Sequence, residues 1–544
     1  MAINARISNL RPHLDSRWLA VAATLWLLAA GNQTFWHKAA AAFAATPLAL
    51  LALGATVVAI YFVALLLLLQ NYLAKPVLLF LLAAAGGASY FTDTFGTVID
   101  VAMIDSAMTT TGHEAGQLFT PQFFLHMALF IGLPAAVVLW IRIDYAPWRR
   151  RLVSTAALAL IAVAVGGALF YSQFGTIVFA LRQDRLVMKT LNPAIPIASA
   201  YTYATRSLRQ TNVVVAPLGT DARPGPSATA SSRPFVTVLV VGETARAMNF
   251  SLNGYARKTN PELEKLDIVN YPDVSSCGTA TAVSVPCMFS KFGRADYSDD
   301  KAKATENVLD VLHHAGVDVL WWDNNTGPKG VTARLGSKAY NDAKDPVACA
   351  TGVCLDDIFL PDLDKLLDGV TRDTVLVLHQ TGSHGPAYYL GYPKELRVFT
   401  PDCATEQVTT CSQQEVVNSY DNTILTTDRF LARVIDSLSR HDERVAGAMY
   451  YVSDHGESLG EHGMYLHGAP YALAPETQTH VPMVTWFSPA YAQARGLDVA
   501  CVRARAGERY SHDNLFDTLL SMMDVTTDAY RADRDILSPC LGRS

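Results

Sequence analysis

No cysteine occurs before residue 277, and charged residues make up only 17% of the chain, against ~25% in ordinary soluble proteins. The shortage of charge is local. From Leu19 to Tyr171 apolar runs dominate, whereas beyond Pro234 the composition is that of a soluble globular domain. The chain has no block of Lys and Arg, and its net charge is only −6. That excludes the basic footprint of a nucleic-acid binder. A Cys-x-x-Cys knuckle is also missing, which argues against a cysteine-based zinc site. No small-residue cleavage site precedes Gly31, so the first apolar run does not read as a removable signal peptide.

The apolar runs themselves are long. Five stretches approach the ~20 residues that span a bilayer: Trp18–Phe35, Leu48–Leu69, Val77–Phe91, Phe123–Ile143 and Leu152–Tyr171. Arg6, Arg11 and Arg17 precede the first, Lys75 separates the second and third, and Arg142, Arg149, Arg150 and Arg151 separate the fourth and fifth. The bias of Lys and Arg toward the cytoplasm places all three groups there together with the N-terminus. Five spans then export everything after Tyr171.

The cysteines support export independently. All eight lie at 277, 287, 349, 354, 403, 411, 501 and 540. An even count, confined to the exported half and mostly in close pairs, is what an oxidising compartment produces. The spacing suggests Cys277–Cys287, Cys349–Cys354 and Cys403–Cys411, which leaves Cys501–Cys540.

The expected organisation is a transmembrane domain over 1–172, an amphipathic bridging helix and linker over 173–233, and a catalytic domain over 234–544. Ile177–Met188 has the pattern of a helix lying at the membrane surface, and Ala216–Pro234 is rich in Pro, Ser, Ala and Gly, as a linker is. Beyond it, strand patterns at Phe235–Val241, Val317–Trp321, Thr374–His379, Ala448–Val452 and His480–Phe487 alternate with helical ones at Thr305–Ala315, Leu355–Leu367, Glu415–Ser439 and Asn514–Met523. Such alternation predicts an α/β domain, a mostly parallel sheet with helices on both faces.

In such folds ligands bind beyond the carboxyl ends of strands. Glu243-Thr244 follows the first strand, Gln380 to His384 the third, and Asp454-His455 the fourth. Glu243, Asp454 and His455 are ligands suited to zinc. Further imidazoles stand at His379, His384, His462 and His467; Gly and Pro beside His384 and His467 suit fixed loops. His313 and His314 read as structural or solvated. A nucleophile is available between Ser275 and Ser284, with Ser275, Ser276, Thr279, Thr281 and Ser284 as candidates. At a helix N-terminus such a hydroxyl meets free N–H groups that stabilise anionic oxygens, and a metal would lower its pKa. The residues alone do not choose Thr281 over Thr279.

Taken together, Val241-Gly242-Glu243-Thr244-Ala245-Arg246, the run from Ser276 to Ser290, the run from His379 to Tyr389, Ser453 to Glu461 and Leu466-His467-Gly468-Ala469-Pro470 resemble the lipid A phosphoethanolamine transferases. This family includes the mobile colistin-resistance enzymes and belongs to the alkaline phosphatase/sulfatase superfamily. The resemblance covers essentially the whole chain. It implies an α/β alkaline phosphatase/sulfatase-like periplasmic domain on a five-helix transmembrane domain, in the inner membrane of a Gram-negative bacterium. It further implies transfer of phosphoethanolamine from phosphatidylethanolamine to a lipid A phosphate, with Thr281 as the nucleophile. Glu243, Thr281, Asp454 and His455 would hold a primary zinc. His384 and His467 would bind the substrate phosphate or a second zinc, Lys329 would pair with the phosphate, and Glu457 would stand behind the metal ligands. Thr110 and Glu114 match a loop that holds the lipid headgroup. Ser106 in that loop stands where the family usually has Asn, and Thr109 where it often has Gln; a hydroxyl lacks the amide's paired donor and acceptor.

The resemblance implies loss of surface negative charge and resistance to polymyxins such as colistin. The competing readings are a transferase acting on lipopolysaccharide core sugars, a glycerol-phosphate polymerising enzyme, and an inactive membrane-anchored sensor. None of Glu243, Thr281, Asp454 and His455 is missing, which opposes the last. No nucleic-acid partner is expected, and the chain is expected to act as a monomer. Non-reducing peptide mapping is expected to recover Cys277 linked to Cys287; a free thiol there would contradict export.

Overall fold

A computed structural model describes residues 11–109, 115–116, 118–184, 186–209, 214–341 and 343–542. The chain divides into two compact units, Met1–Ile104 with Leu118–Ala204, and Asp105–Gln117 with Thr205–Ser544. The segment expected to bridge the domains, 173–233, is thus shared between them.

In the first unit, four helices among the described residues are long and apolar enough to cross a membrane: Pro47–Leu68, Asn71–Phe95, Pro121–Trp140 and Trp148–Ser172. The first expected span, Trp18–Phe35, is not one helix. Ser16–Ala30 has 15 residues, roughly 22 Å at 1.5 Å per residue, short of the ~30 Å hydrocarbon core. It ends at Gly31, whose N–H returns to Leu27 O, and the chain restarts as the helix Gln33–Ala42. The third expected span, Val77–Phe91, is longer at both ends.

The break is held by polar groups. Asn32 is buried; its Nδ2 donates to Leu27 O and Asn192 O, and its Oδ1 accepts from Asn192 N. Asn192 Nδ2 donates to Gly31 O, and Tyr61 Oη donates to Asn192 O. Leu27 O, Leu28 O and Gly31 O at the break thus each have a donor, the second from Trp36 Nε1, as an apolar surrounding favours. The segment expected to lie on the membrane surface forms the helices Phe174–Gln183 and Leu186–Lys189. Its apolar face is instead packed inside this unit: Ile177, Ala180 and Val187 are buried with Leu28, Phe35, Val57 and Tyr61.

The second unit is built on a seven-stranded sheet. In chain order its strands are β1 (Phe235–Gly242), β2 (Val269–Tyr271), β3 (Asp318–Asp323), β4 (Lys338–Ala339), β5 (Thr374–His379), β6 (Ala446–Ser453) and β7 (Met483–Phe487). Their order across the sheet is β2-β7-β6-β1-β5-β3-β4. Strands β6, β1, β5, β3 and β4 are parallel, while β7 runs antiparallel both to β6 and to the edge strand β2. The sheet is therefore mixed: the expected strand His480–Phe487 begins at Met483 and belongs to the antiparallel edge.

Burial on both faces follows from the period-2 alternation. Phe235, Leu239 and Val241 of β1 and Ala448, Tyr450 and Val452 of β6 share a core with Leu309, Leu312 and Leu519. On the opposite face a Cβ at Gly447 would stand 3.2 Å from Leu438 Cδ2, on the helix Gln413–Arg440. That helix starts at a capping box between Ser412 and Glu415, which satisfies donors left open at a helix start. Four disulfides join Cys277 to Cys287, Cys349 to Cys354, Cys403 to Cys411 and Cys501 to Cys540.

Asn32→Ala is expected to leave Asn192 N without its buried acceptor, at about 1–3 kcal/mol, while Asn192 O keeps Tyr61 Oη. Thermal unfolding of the detergent-solubilised protein should therefore begin at a lower temperature; an unchanged midpoint would show that the polar lock is dispensable.

Candidate active site

The site follows from strand register. Ser453 of β6 pairs with Gly242 of β1, and Val241 of β1 pairs with His379 of β5. The residues just beyond these ends, Asp454, Glu243 and Gln380, therefore emerge side by side. Asp454 N donates to Gly242 O at 2.9 Å, and Gln380 N to Val241 O at 3.0 Å. Close approach of these loops requires glycine: Gly382 has φ +54°, and a Cβ there would stand 2.7 Å from Glu243 O. A Cβ at Gly456 would stand 2.1 Å from Thr477 O.

Glu243, Asp454 and His455 are buried, and one ligand atom from each lies within 4.8 Å of the others. The hydrogen bonds fix the donor set. His455 Nδ1 lies 2.9 Å from Gly456 O, so it carries the proton, and Nε2 presents a lone pair. That lone pair faces Asp454 Oδ2 at 3.3 Å and Glu243 Oε1 at 3.5 Å. Asp454 Oδ2 has no hydrogen-bond partner, while Oδ1 accepts from Thr244 N and His455 N. Buried lone pairs pointing at one another repel unless a proton or a cation stands between them.

Thr281 completes the group. It is the first residue of the helix Thr281–Met288, where the helix dipole favours negative charge. Its Oγ1 lies 3.2 Å from Glu243 Oε2 and 3.3 Å from His455 Nε2. Of the other hydroxyls, Thr279 donates to Ala469 O, Ser276 to Gly278 O and Ser284 to Asp454 O. The nitrogen and oxygen donors present fit zinc, which takes four such ligands.

The electrostatics point the same way. Burial, helped by the charge of Asp454, pushes the Glu243 carboxyl up to about 7. Burial pushes Asp454 up to about 7 as well and holds His455 well below its usual value. A divalent cation would keep both carboxylates ionised. Burial also opposes charge on His467, but Glu457 Oε2, 3.1 Å from its Nδ1, prevails and raises the ring to about 9.

The His467 ring centroid is 4.4 Å from that of His455 and 5.3 Å from that of His384, so both loop histidines border the group. Lys329 lies on the loop after β3, its Nζ donating to Thr326 O. His379 is not at the site: its Nδ1 pairs with Asp323 Oδ2 at 2.8 Å. His314 pairs with Glu306. Ser106 lies on the helix Val101–Thr109; Thr110 and Glu114 lie outside the described residues, as does the His462 side chain.

Two supporting residues escaped the sequence reading. Asn325 Nδ2 donates to Glu243 Oε2 at 2.7 Å and to Gln380 O at 2.7 Å, fixing the carboxylate in orientation. Asp356 accepts from Asn324 Nδ2, Gln380 Nε2, Thr381 N and Gly382 N, and so shapes the loop that carries His384. The polar run Asp323-Asn324-Asn325 at the end of β3 was the available signal, since it too follows a strand.

Asp454→Asn is expected to abolish zinc binding, and Asn325→Ala to weaken it ~10–100-fold. Competition with a chromophoric chelator measures both. Wild-type affinity in the Asp454→Asn protein would remove the metal centre.

Residues 236–525 match the sulfatase family model, and residues 57–208 match that of phosphoethanolamine transferase EptA/EptB. Phosphoethanolamine transferase EptA of Escherichia coli (strain K12) is 38% identical over 540 residues, covering 97% of this chain and 98% of that protein. Phosphatidylethanolamine transferase Mcr-1 of Escherichia coli is 37% identical over 533 residues, covering 94% and 95%. Among solved structures, the integral membrane protein lipooligosaccharide phosphoethanolamine transferase A from Neisseria meningitidis superposes with a TM-score of 0.93 at 35% identity, covering 97% of this chain and 100% of that one. With likeness at this level running through both units, the chain belongs to the EptA-type phosphoethanolamine transferase family.

Proposed function

We propose that this membrane-bound transferase moves phosphoethanolamine from phosphatidylethanolamine to a phosphate of lipid A through a covalent phosphoethanolaminyl-Thr281 intermediate. The observation that carries the reading is the position of Thr281 Oγ1, 3.2 Å from Glu243 Oε2 and 3.3 Å from His455 Nε2 at a helix start. A hydroxyl so placed is an activated nucleophile rather than a structural one. Its kinship with a phosphoethanolamine transferase and a phosphatidylethanolamine transferase supports the transferred group and the donor.

Zinc held by Glu243, Thr281, Asp454 and His455 would supply Lewis-acid stabilisation of charge. The chain's own residues do the rest. The Thr281 hydroxyl points its proton toward Glu243 Oε2. Its oxygen attacks the donor phosphorus; the bond from phosphorus to the diacylglycerol oxygen breaks, and that oxygen takes a proton as it leaves. A lipid A phosphate oxygen then attacks the same phosphorus, the bond to Thr281 breaks, and the hydroxyl is restored. Two displacements at one nucleophile give ping-pong kinetics. His467, held by Glu457, and His384 stand at the rim, where cationic or neutral imidazoles bind phosphate oxygens. Lys329 contributes charge from the neighbouring loop, and Ser106, Thr110 and Glu114 would receive the donor headgroup. A second zinc on His384 and His467 belongs to the same proposal. The added ethanolammonium offsets phosphate charge on the acceptor, which weakens attraction of polycationic peptides such as colistin.

Mass spectrometry of lipid A from cells expressing the wild-type chain is expected to find phosphoethanolamine, and from cells expressing Thr281→Ala to find none, with equal protein in the membrane. Modification retained by Thr281→Ala would move the nucleophile elsewhere. Unmodified lipid A beside a modified core would replace the acceptor.

A further inference from the structure

Thr281 and Asp454 come from segments far apart in the chain, and their hydroxyl and carboxylate must stand at a fixed separation to act on one centre. Thr281 lies four residues beyond Cys277, whereas Asp454 directly follows Ser453. A buried imidazole, His512, sits between these two supports. Cys277 N donates to its Nδ1 at 3.0 Å, and its Nε2 lies 2.9 Å from Ser453 O.

The partners determine the tautomer. A backbone N–H faces Nδ1, so Nδ1 must be bare, and a carbonyl faces Nε2, so Nε2 must carry the proton. Only the neutral ring meets both demands, and burial lowers this histidine to about 4. Ser284 Oγ, 3.3 Å from Nδ1, sends its own proton to Asp454 O, which adds a second tie between the nucleophile helix and the ligand strand. His512 is itself held in place: Tyr510-Ser511 pairs with Val274-Ser275, a capping box joins Ser511 to Asn514, and the following helix Leu515–Met522 is buried throughout.

We infer that His512 is a positioning residue, a neutral clamp that ties the Thr281 loop to the strand bearing Asp454 and His455 and so sets the geometry of nucleophile against ligands. It touches neither substrate nor the reacting atoms. The kinetic part of this inference rests on the transfer reaction proposed above; the metal-affinity part does not.

The two hydrogen bonds can be separated by substitution. In His512→Asn the amide oxygen occupies the Nδ1 position and keeps the bond from Cys277 N. In His512→Gln the amide nitrogen reaches the Nε2 position and keeps only the bond to Ser453 O. His512→Phe keeps neither. Full-length proteins in detergent would be compared by zinc affinity against a chromophoric chelator, by kcat and KM for transfer from phosphatidylethanolamine normalised to folded protein, and by thermal midpoint. The expected result is kcat and zinc affinity ~10-fold or more lower in all three variants, since each lacks at least one end of the tie, with KM for the donor unchanged. Wild-type kcat and affinity in folded His512→Asn or His512→Gln, each of which lacks one of the two bonds, would overturn the clamp and leave His512 as core packing. If His512→Phe fails to fold, the Asn and Gln pair still decides. A wild-type protein that binds zinc yet transfers nothing would instead defeat the proposed reaction, while the order of zinc affinities would still judge the clamp.

Discussion

The alignment of β6 against β1, with Ser453 opposite Gly242, is the constraint on which the site depends. Both strands are buried on both faces, so neither can slip without exposing its whole apolar set. Rigid register converts two distant sequence positions into two carboxylates at one level. Their mutual repulsion and desolvation are then intrinsic to the fold. What relieves them is a cation, and the bare Nε2 of His455 turned into the same space makes that relief specific to a metal rather than to a lysine or arginine.

Around this centre the structure spends polar groups on orientation. Asn325 holds Glu243, Asp356 gathers four donors to shape the loop before His384, Glu457 turns His467, and His512 ties the Thr281 loop to β6. Each of these side chains is buried, and each holds a neighbour at the site by at least one hydrogen bond. A buried network of this kind is costly when half satisfied and rigid when complete. It suits the proposed reaction, in which one hydroxyl meets two successive phosphates in the same place.

The membrane unit illustrates how such matching escapes a hydropathy reading. Composition assigns Trp18–Phe35 to one continuous span, because Gly31 and Asn32 are only two residues in an apolar run. The helix nevertheless ends there, since Asn32 finds Asn192, some 160 residues away, to receive the carbonyls set free. Among the described residues, four helices remain long enough to cross a bilayer on their own. The apolar face of Phe174–Gln183 meets its partners by the same long-range logic: an amphipathic pattern states that a face will be buried, not whether lipid or protein will bury it.

The sequence by itself determined which chemistry is present and roughly where. The apolar runs, the cysteines confined to the later half, the β–α alternation and the polar residues directly after Val241, His379 and Ser453 are all local patterns, and local patterns survive in a linear reading. Only the tertiary structure decided what those residues do to one another. Asn325, Asp356 and His512 carry no motif of their own; their roles arise from contacts made across the chain. Thr279 and Thr281 are nearly equivalent as sequence, and the fold separates them by sending one hydroxyl to the Ala469 carbonyl and the other to Glu243 and His455. The antiparallel edge at β7 and the break at Asn32 were hidden for the same physical reason: pairing direction and hydrogen-bond partners are set by neighbours distant in sequence.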